Sequence, residues 1–221
     1  MEAPKPINLR DEINKDLSQA FNEILIKHLD DRNFNEEKIK IWTNNILNEA
    51  KEYFRLKYSD YDLFLLNFIY PTNIFYSSNA TSICIEETDL YFVVTFQSAY
   101  LYCCLYYFFY KKYTLTYNID DYESEIIQKG YEILGKFLDE RKYDKDKVLN
   151  YINNINSDIT KYILEKEQYL RCLCITEIYE NPIKGKYFFK YLSHGKQIYS
   201  KIFLNYINES LICCLSIYFF K

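Results

Sequence analysis

The sequence predicts an α+β fold built twice in one chain, each time as two helices followed by four strands. An internal repeat with an offset of 109 residues runs through the chain. Each repeat opens with apolar residues at helical spacing and closes with aromatic and aliphatic stretches of strand length. A chain of 221 residues also suits two small domains of about 100 residues each.

The two repeats share one register over charged and apolar positions. The offset superimposes 23–25 (Glu-Ile-Leu) on 132–134, and it superimposes 44–46 (Asn-Asn-Ile) on 153–155. With one additional residue, the Cys-Cys pair at 103–104 falls on the pair at 213–214. We therefore predict a first domain over 1–111, a linker over 112–122 and a second domain over 123–221.

Two helices are expected at the start of the first domain. The first, near 11–29, has an apolar stripe at helical spacing that comprises Ile13, Leu17, Phe21, Ile24 and Leu25. Asn35 is placed to cap the second, near 36–54, because a side-chain oxygen there can accept from a free backbone N–H. Trp42 and Ile46 belong to the buried face of this second helix.

Strands fill the rest of the first domain, between about 61 and 109. The stretch at 61–70 is rich in Leu, Phe and Ile, and a turn sequence, Pro-Thr-Asn, follows at 71–73. Further strands are predicted at 81–86, 90–96 and 100–109. Tyr and Phe favour half-buried pleated surfaces, so the 25 Tyr and 16 Phe indicate tyrosine-rich strands. A codon bias toward A and T would explain part of the same excess.

The second domain repeats this plan. One helix carries Ile126 and Ile133, and Asp144 is predicted to cap another that buries Tyr151 and Ile155. Strands are expected near 169–179, 186–192, 197–206 and 211–220. His194, which precedes a glycine, is predicted to lie in a turn.

Composition and motifs argue against several classes of function. A net charge of −4 without a basic patch predicts no nucleic-acid partner. The apolar runs reach about ten residues, half the length of a membrane-spanning helix, so no membrane partner is expected either. The polar N-terminus contains no secretory signal, so the seven cysteines are expected to be reduced.

No catalytic, cofactor-binding or metal-binding motif stands out. The four glycines match no phosphate-binding loop, and Cys172-x-Cys174 has the wrong spacing for a redox or zinc site. His28 is expected to be partly buried and structural. We predict no enzymatic activity, no cofactor and no metal; the alternative is a reactive thiol such as Cys84.

The first repeat contains Ile-Trp-Thr-Asn at 41–44, Ala-Thr-Ser-Ile-Cys at 80–84, and Tyr102 followed by Cys103. Through these motifs it resembles the Tctex-type dynein light chains over most of 21–110. The second repeat has Tyr151 in place of the tryptophan, and its 186–192 stretch lacks the Ser and Thr.

The resemblance implies an architecture and a function. Members of this family are usually homodimers that exchange their second strand, so two fused copies would form an intramolecular pseudo-dimer with four-stranded antiparallel sheets. The chain would then be a non-catalytic subunit of a dynein motor in the cytoplasm, the cytoskeleton or a ciliary axoneme. Its partner would be a dynein intermediate chain, with other light chains as further partners. The alternative is an adaptor that works apart from the motor.

Binding in this family proceeds by addition of a partner strand to a sheet edge. Carried over by position, the edge residues of the first repeat are Thr81, Ser82, Ile83, Cys84, Ile85 and Glu86. Those of the second repeat are Tyr187, Phe188, Phe189, Lys190 and Tyr191. The alternative is that both strands are used up between the two copies.

Overall fold

The chain is an α+β protein in the computed structural model, which describes residues 9–72, 76–83, 89–111, 121–167, 170–181, 193–194 and 198–220. These residues contain four helices and two antiparallel sheets, as the sequence predicts at that level. In chain order the elements are α1 (Leu9–Leu29), α2 (Glu36–Lys57), β1 (Tyr61–Pro71), β2 (Tyr76–Ile83), β3 (Leu90–Gln97), β4 (Leu101–Lys111), α3 (Glu123–Leu138), α4 (Val148–Lys166), β5 (Arg171–Glu180), β6 (Ser193–His194), β7 (Ile198–Ile207) and β8 (Leu211–Phe220).

These elements form two compact units that do not follow the boundary between the repeats. The first unit holds the described residues of 1–72, 86–112 and 189–195, and the second holds those of 73–85, 113–188 and 196–221. β2 therefore belongs to the second unit although the first repeat encodes it. β6 belongs to the first unit although the second repeat encodes it. The predicted linker at 112–122 lies outside the described residues except for 121 and 122, which form a turn.

The first unit packs α1 and α2 on one face of a sheet with the order β3-β4-β1-β6. Its core joins the helical stripe of Leu17, Phe21 and Leu25 to sheet residues such as Leu105 and Tyr107. The rings of Phe21 and Tyr107 meet edge to face with centroids 5.0 Å apart. The other face of β1 and β4 is buried too and rich in aromatic residues.

The second unit packs α3 on β7 and α4 on β2 and β5, in a sheet with the order β2-β5-β8-β7. Its core is mainly aliphatic and includes Ile133, Ile155 and Leu215. This core also contains a buried polar contact, in which the Thr176 hydroxyl donates to the side-chain oxygen of Asn156 at 2.6 Å. This bond satisfies two polar groups that would be costly to bury alone.

Equivalent positions of the two repeats make equivalent contacts. Asp16 binds Lys57 at 2.7 Å, and at the same offset of 109 residues Glu125 binds Lys166 at 2.5 Å. The residue that follows α1 and α3 by two positions is left-handed in both repeats, with φ of 57°. Matching ion pairs and backbone geometry support the repeat read from the sequence.

Helix capping agrees with the sequence in one repeat and differs in the other. The Asn35 side chain accepts from the backbone N–H of Lys38 at 3.1 Å, which confirms the predicted cap of α2. The predicted cap by Asp144 is wrong. Its carboxylate accepts from the N–H of Asp146 at 3.0 Å in a turn that precedes the helix, and α4 begins only at Val148.

Two other local predictions also differ from the structure. The strand predicted to begin at residue 81 begins at Tyr76, because its eight residues pair in register with β5. His194 lies in β6 and not in a turn, since it pairs with Leu65 of β1. Both differences come from pairing between distant parts of the chain.

Candidate partner-binding edge of the second unit

β2 is the terminal strand of the second unit's sheet and the best candidate for strand addition. Its register with β5 runs without a break from Tyr76 opposite Tyr179 to Ile83 opposite Cys172. α4 packs against it, and Ala80 is buried. Thr81 and Ser82 are half-buried. The helix and β5 thus hold β2 in place while it forms one end of the strand order.

The side-chain chemistry of β2 differs from that of the opposite edge. Its sequence, Tyr-Ser-Ser-Asn-Ala-Thr-Ser-Ile, contains no charged residue and no proline. β7, at the other end of the same sheet, carries Lys201 and a register irregularity between Ile198 and Ser200. Charges and bulges discourage pairing with another chain, so β2 is the more receptive edge of this sheet.

The sheet of the first unit also has two terminal strands, β6 and β3. β6 pairs with β1 through Ser193 and His194, opposite Leu66 and Leu65. At the other end of that sheet, β3 is uncharged, and 43% of Val93 is exposed. β3 is an edge that the sequence did not identify, because only the strand order shows which strands are terminal.

The predicted edge residues are described in part. Thr81, Ser82 and Ile83 lie in β2. The remaining predicted residues of the first repeat, Cys84, Ile85 and Glu86, lie outside the described residues. So do all those of the second repeat, namely Tyr187, Phe188, Phe189, Lys190 and Tyr191.

The residues predicted for the domain cores lie on α2 and α4. Trp42 and Ile46 are buried in the first unit, and Ile155 is buried in the second. Tyr151 is half-buried and packs against the second core. These side chains lie on the faces of α2 and α4 that pack against the sheets, and α4 itself contacts β2.

The cysteines of the described region are buried, and none of them forms a disulfide there. Burial, together with the neighbouring Cys104, raises the pKa of the Cys103 thiol well above its usual value. Contact with Cys172, whose sulfur lies 4.0 Å away, and burial raise the pKa of Cys174 in the same direction. Thiols held neutral are poor nucleophiles. Cys84 lies outside the described residues.

His28 is partly buried on α1, as predicted from its position. Its Nε2 lies 2.8 Å from a carboxylate oxygen of Glu49 on α2, which also accepts from Lys27 at 2.7 Å. The contact joins the two helices.

None of the described helices combines the length and the hydrophobicity that crossing a membrane requires.

No protein-family model matches the chain. A search of curated proteins likewise finds no match.

Proposed function

We propose that this chain is a non-catalytic light chain of a dynein motor, which binds and positions an intermediate chain by strand addition at β2. The observation that carries the proposal is the reciprocal placement of β2 and β6. Each is encoded by one repeat and pairs with a strand of the other. Exchange of the second strand is the arrangement that resemblance to the Tctex-type light chains implies for two fused copies.

The chemistry of β2 supports the mode of binding. Strand addition draws its affinity from main-chain hydrogen bonds, and the pockets for alternate side chains set the register. A terminal strand of eight uncharged residues, backed by α4, offers such a template. A disordered partner segment would lose entropy on binding, so affinity per area buried would be modest.

The first test is capture of partners by the intact folded chain. Recovery of dynein subunits, with an intermediate chain in direct contact by crosslinking, is the expected result. Recovery of a defined partner without any motor subunit would contradict the motor assignment and favour the adaptor function instead.

The second test locates the binding edge by hydrogen exchange, with the intermediate chain's N-terminal region as the added segment. We expect protection of amide protons in β2 and none in β7, the opposite edge of the same sheet. Protection confined to β3 would place the binding edge in the first unit. Such a result would refute strand addition at β2.

Substitutions give a matched comparison between β2 and β3, the terminal strands of two different sheets. Thr81→Lys places a charge on β2, and we expect at least a tenfold loss of affinity for the segment. Thr95→Lys places the same charge at an exposed position of β3 and should leave the affinity unchanged. Circular dichroism of both variants shows whether the fold is retained.

A further inference from the structure

A cavity of about 500 Å³ opens in the first unit, between the end of α1 and the start of α2. Its lining combines aromatic, aliphatic and cationic side chains, among them His28, Arg32, Phe34, Lys38, Ile41 and Trp42. These residues all belong to the first unit, far along the sequence from β2.

Trp42 is the most informative residue of this lining. It is nine-tenths buried, and no hydrogen bond from its indole N–H is found among the described residues. The nitrogen is not one of the buried atoms that lack a partner, so it is accessible from the solvent. An aromatic wall with an unused donor suits a ligand that brings both a ring and an acceptor.

Two cations at the cavity lack a counter-ion within the described region. Arg32 and Lys38 are exposed, and neither side chain forms an ion pair there. In the second repeat, the residue equivalent to Lys38 is Lys147, which binds Asp144 at 3.1 Å. The first repeat has Asn35 in place of that aspartate, and its side chain caps α2 instead.

The two other titratable groups of the lining, Asp31 and His28, leave the cavity with an excess of positive charge. Asp31 carries a negative charge at the rim and has a left-handed backbone. His28 is engaged by Glu49. The cavity therefore presents two available positive charges against one available carboxylate.

We propose that this cavity binds a small aromatic anion, a planar ring that carries a carboxylate or phosphate group. The ring packs against Trp42 and Phe34, where stacking and area burial favour it. The anionic group pairs with Arg32 and Lys38. In the second repeat, Asp144 neutralises the residue equivalent to Lys38. The site is independent of β2, so this proposal stands or falls apart from the dynein assignment.

Trp42 supplies the assay, because it is the only tryptophan of the chain. Phenyl phosphate carries both features, phenol only the ring and inorganic phosphate only the anion. We expect phenyl phosphate to change the emission of Trp42 saturably, with a dissociation constant on the order of millimolar for so small a ligand. Phenol and inorganic phosphate should each bind at least tenfold more weakly.

Charge substitutions test the assignment of the anionic end. The double variant R32A/K38A should weaken phenyl phosphate binding at least tenfold, and D31N should strengthen it about threefold because it removes a repelling charge. Asn tolerates the left-handed backbone of position 31, so D31N retains the fold. The matched control R141A/K147A changes the equivalent positions of the second repeat and should leave the binding unchanged.

Two results would overturn the proposal. One is equal binding of inorganic phosphate and phenyl phosphate, which would indicate anion attraction without a ring site. The other is an unchanged response in R32A/K38A, since both side chains are exposed and the variant is expected to fold. Circular dichroism of each variant verifies that expectation.

Discussion

Asp16 on α1 accepts hydrogen bonds from three side chains of the α2 region. The donors are the Lys57 ammonium at 2.7 Å, the Tyr58 hydroxyl at 2.7 Å and the Tyr53 hydroxyl at 2.9 Å. Burial alone would raise the pKa of Asp16, but these bonds outweigh it, and the pKa of Asp16 lies below its usual value. One partly exposed carboxylate thus links two helices.

The lowered pKa predicts how Asp16→Asn changes stability with pH. The charged carboxylate stabilises the fold above its unfolded pKa of about 4, and this contribution disappears as the pH falls through the folded pKa. We expect Asp16→Asn to lower the unfolding free energy by about 1 kcal/mol at pH 7, since exposed ion pairs contribute little. The loss should shrink toward zero near pH 2. Urea unfolding followed by Trp42 emission measures it.

Glu125 is the matched control for this prediction. It occupies the equivalent position of the second repeat and binds Lys166, but about half of its side chain is exposed. Glu125→Gln should therefore show a smaller dependence on pH than Asp16→Asn. An equal loss of stability at pH 7 and pH 2 for Asp16→Asn would contradict the electrostatic explanation.

The cavity beside Trp42 has some features that the sequence predicts and others that it does not. Trp42 could be assigned to a buried helical face from spacing alone. The sequence could not show that the indole N–H lacks a hydrogen-bond partner or that Arg32 and Lys38 lack ion pairs, because these properties depend on which side chains meet after folding. The difference between Asn35 and Asp144 at equivalent positions is visible in the sequence, but both were predicted only as helix caps, and the ion pair of Lys147 with Asp144 appears only in the structure.

At the scale of elements, α3 approaches its sheet at Gly130. The first repeat has Phe21 at this position, buried against Tyr107. In the second repeat, the side chain of Leu204 on β7 occupies the space beside Gly130, and a Cβ added there would fall well inside contact distance of the Leu204 Cδ1. Packing against Leu204 therefore favours glycine at this position, although a helix interior otherwise favours alanine.

Gly130→Ala should therefore destabilise the second unit. Alanine gains about 1 kcal/mol of helix propensity, but overpacking a filled site costs about 1–3 kcal/mol. We expect a net loss of about 1 kcal/mol in urea unfolding followed by circular dichroism. In the background of Leu204→Ala, the same substitution should become stabilising because the space is then free.

Gly135 on the same helix provides the comparison. A Cβ there would meet only Asp139 side-chain atoms at 3.4 Å or more, an ordinary contact. Gly135→Ala is expected to stabilise the protein by about 0.5–1 kcal/mol. Stabilisation by Gly130→Ala in the wild-type background would show that Leu204 moves aside at little cost.

Local sequence patterns predicted where the helices and strands lie better than they predicted which strands pair with each other. Spacing placed α1 and α2, and the Asn35 cap agreed because capping depends on neighbours three residues away. Asp144 was misassigned because a similar side chain can serve a turn before the helix as well as the helix itself. The placement of β2 against β5 required information about residues far along the chain.

At the scale of the whole molecule, neither repeat completes a sheet with its own strands. β2 pairs with β5 over eight residues and contacts α4, both encoded by the second repeat. Antiparallel pairing that long, with a helix packed on it, is a substantial part of the second unit. Separation of the repeats would remove it.

A cleavage site introduced within 112–120 tests this interdependence. After cleavage, the two fragments should remain together in size-exclusion chromatography at micromolar concentration, because β2 stays paired with β5. Each fragment expressed alone should lack a cooperative unfolding transition, and mixing the two should restore it. Fragments that separate under native conditions and unfold cooperatively on their own would contradict this expectation.

The pairing of β2 with β5 also sets an order of events during synthesis. Arg171, the start of β5, leaves the ribosome about 90 residues after Ile83, which takes roughly 4–18 s at common elongation rates. Throughout that interval the nascent chain carries an uncharged, strand-forming segment that has not yet met its native neighbour. A chaperone that shields this segment early in translation would raise the yield of correctly folded protein.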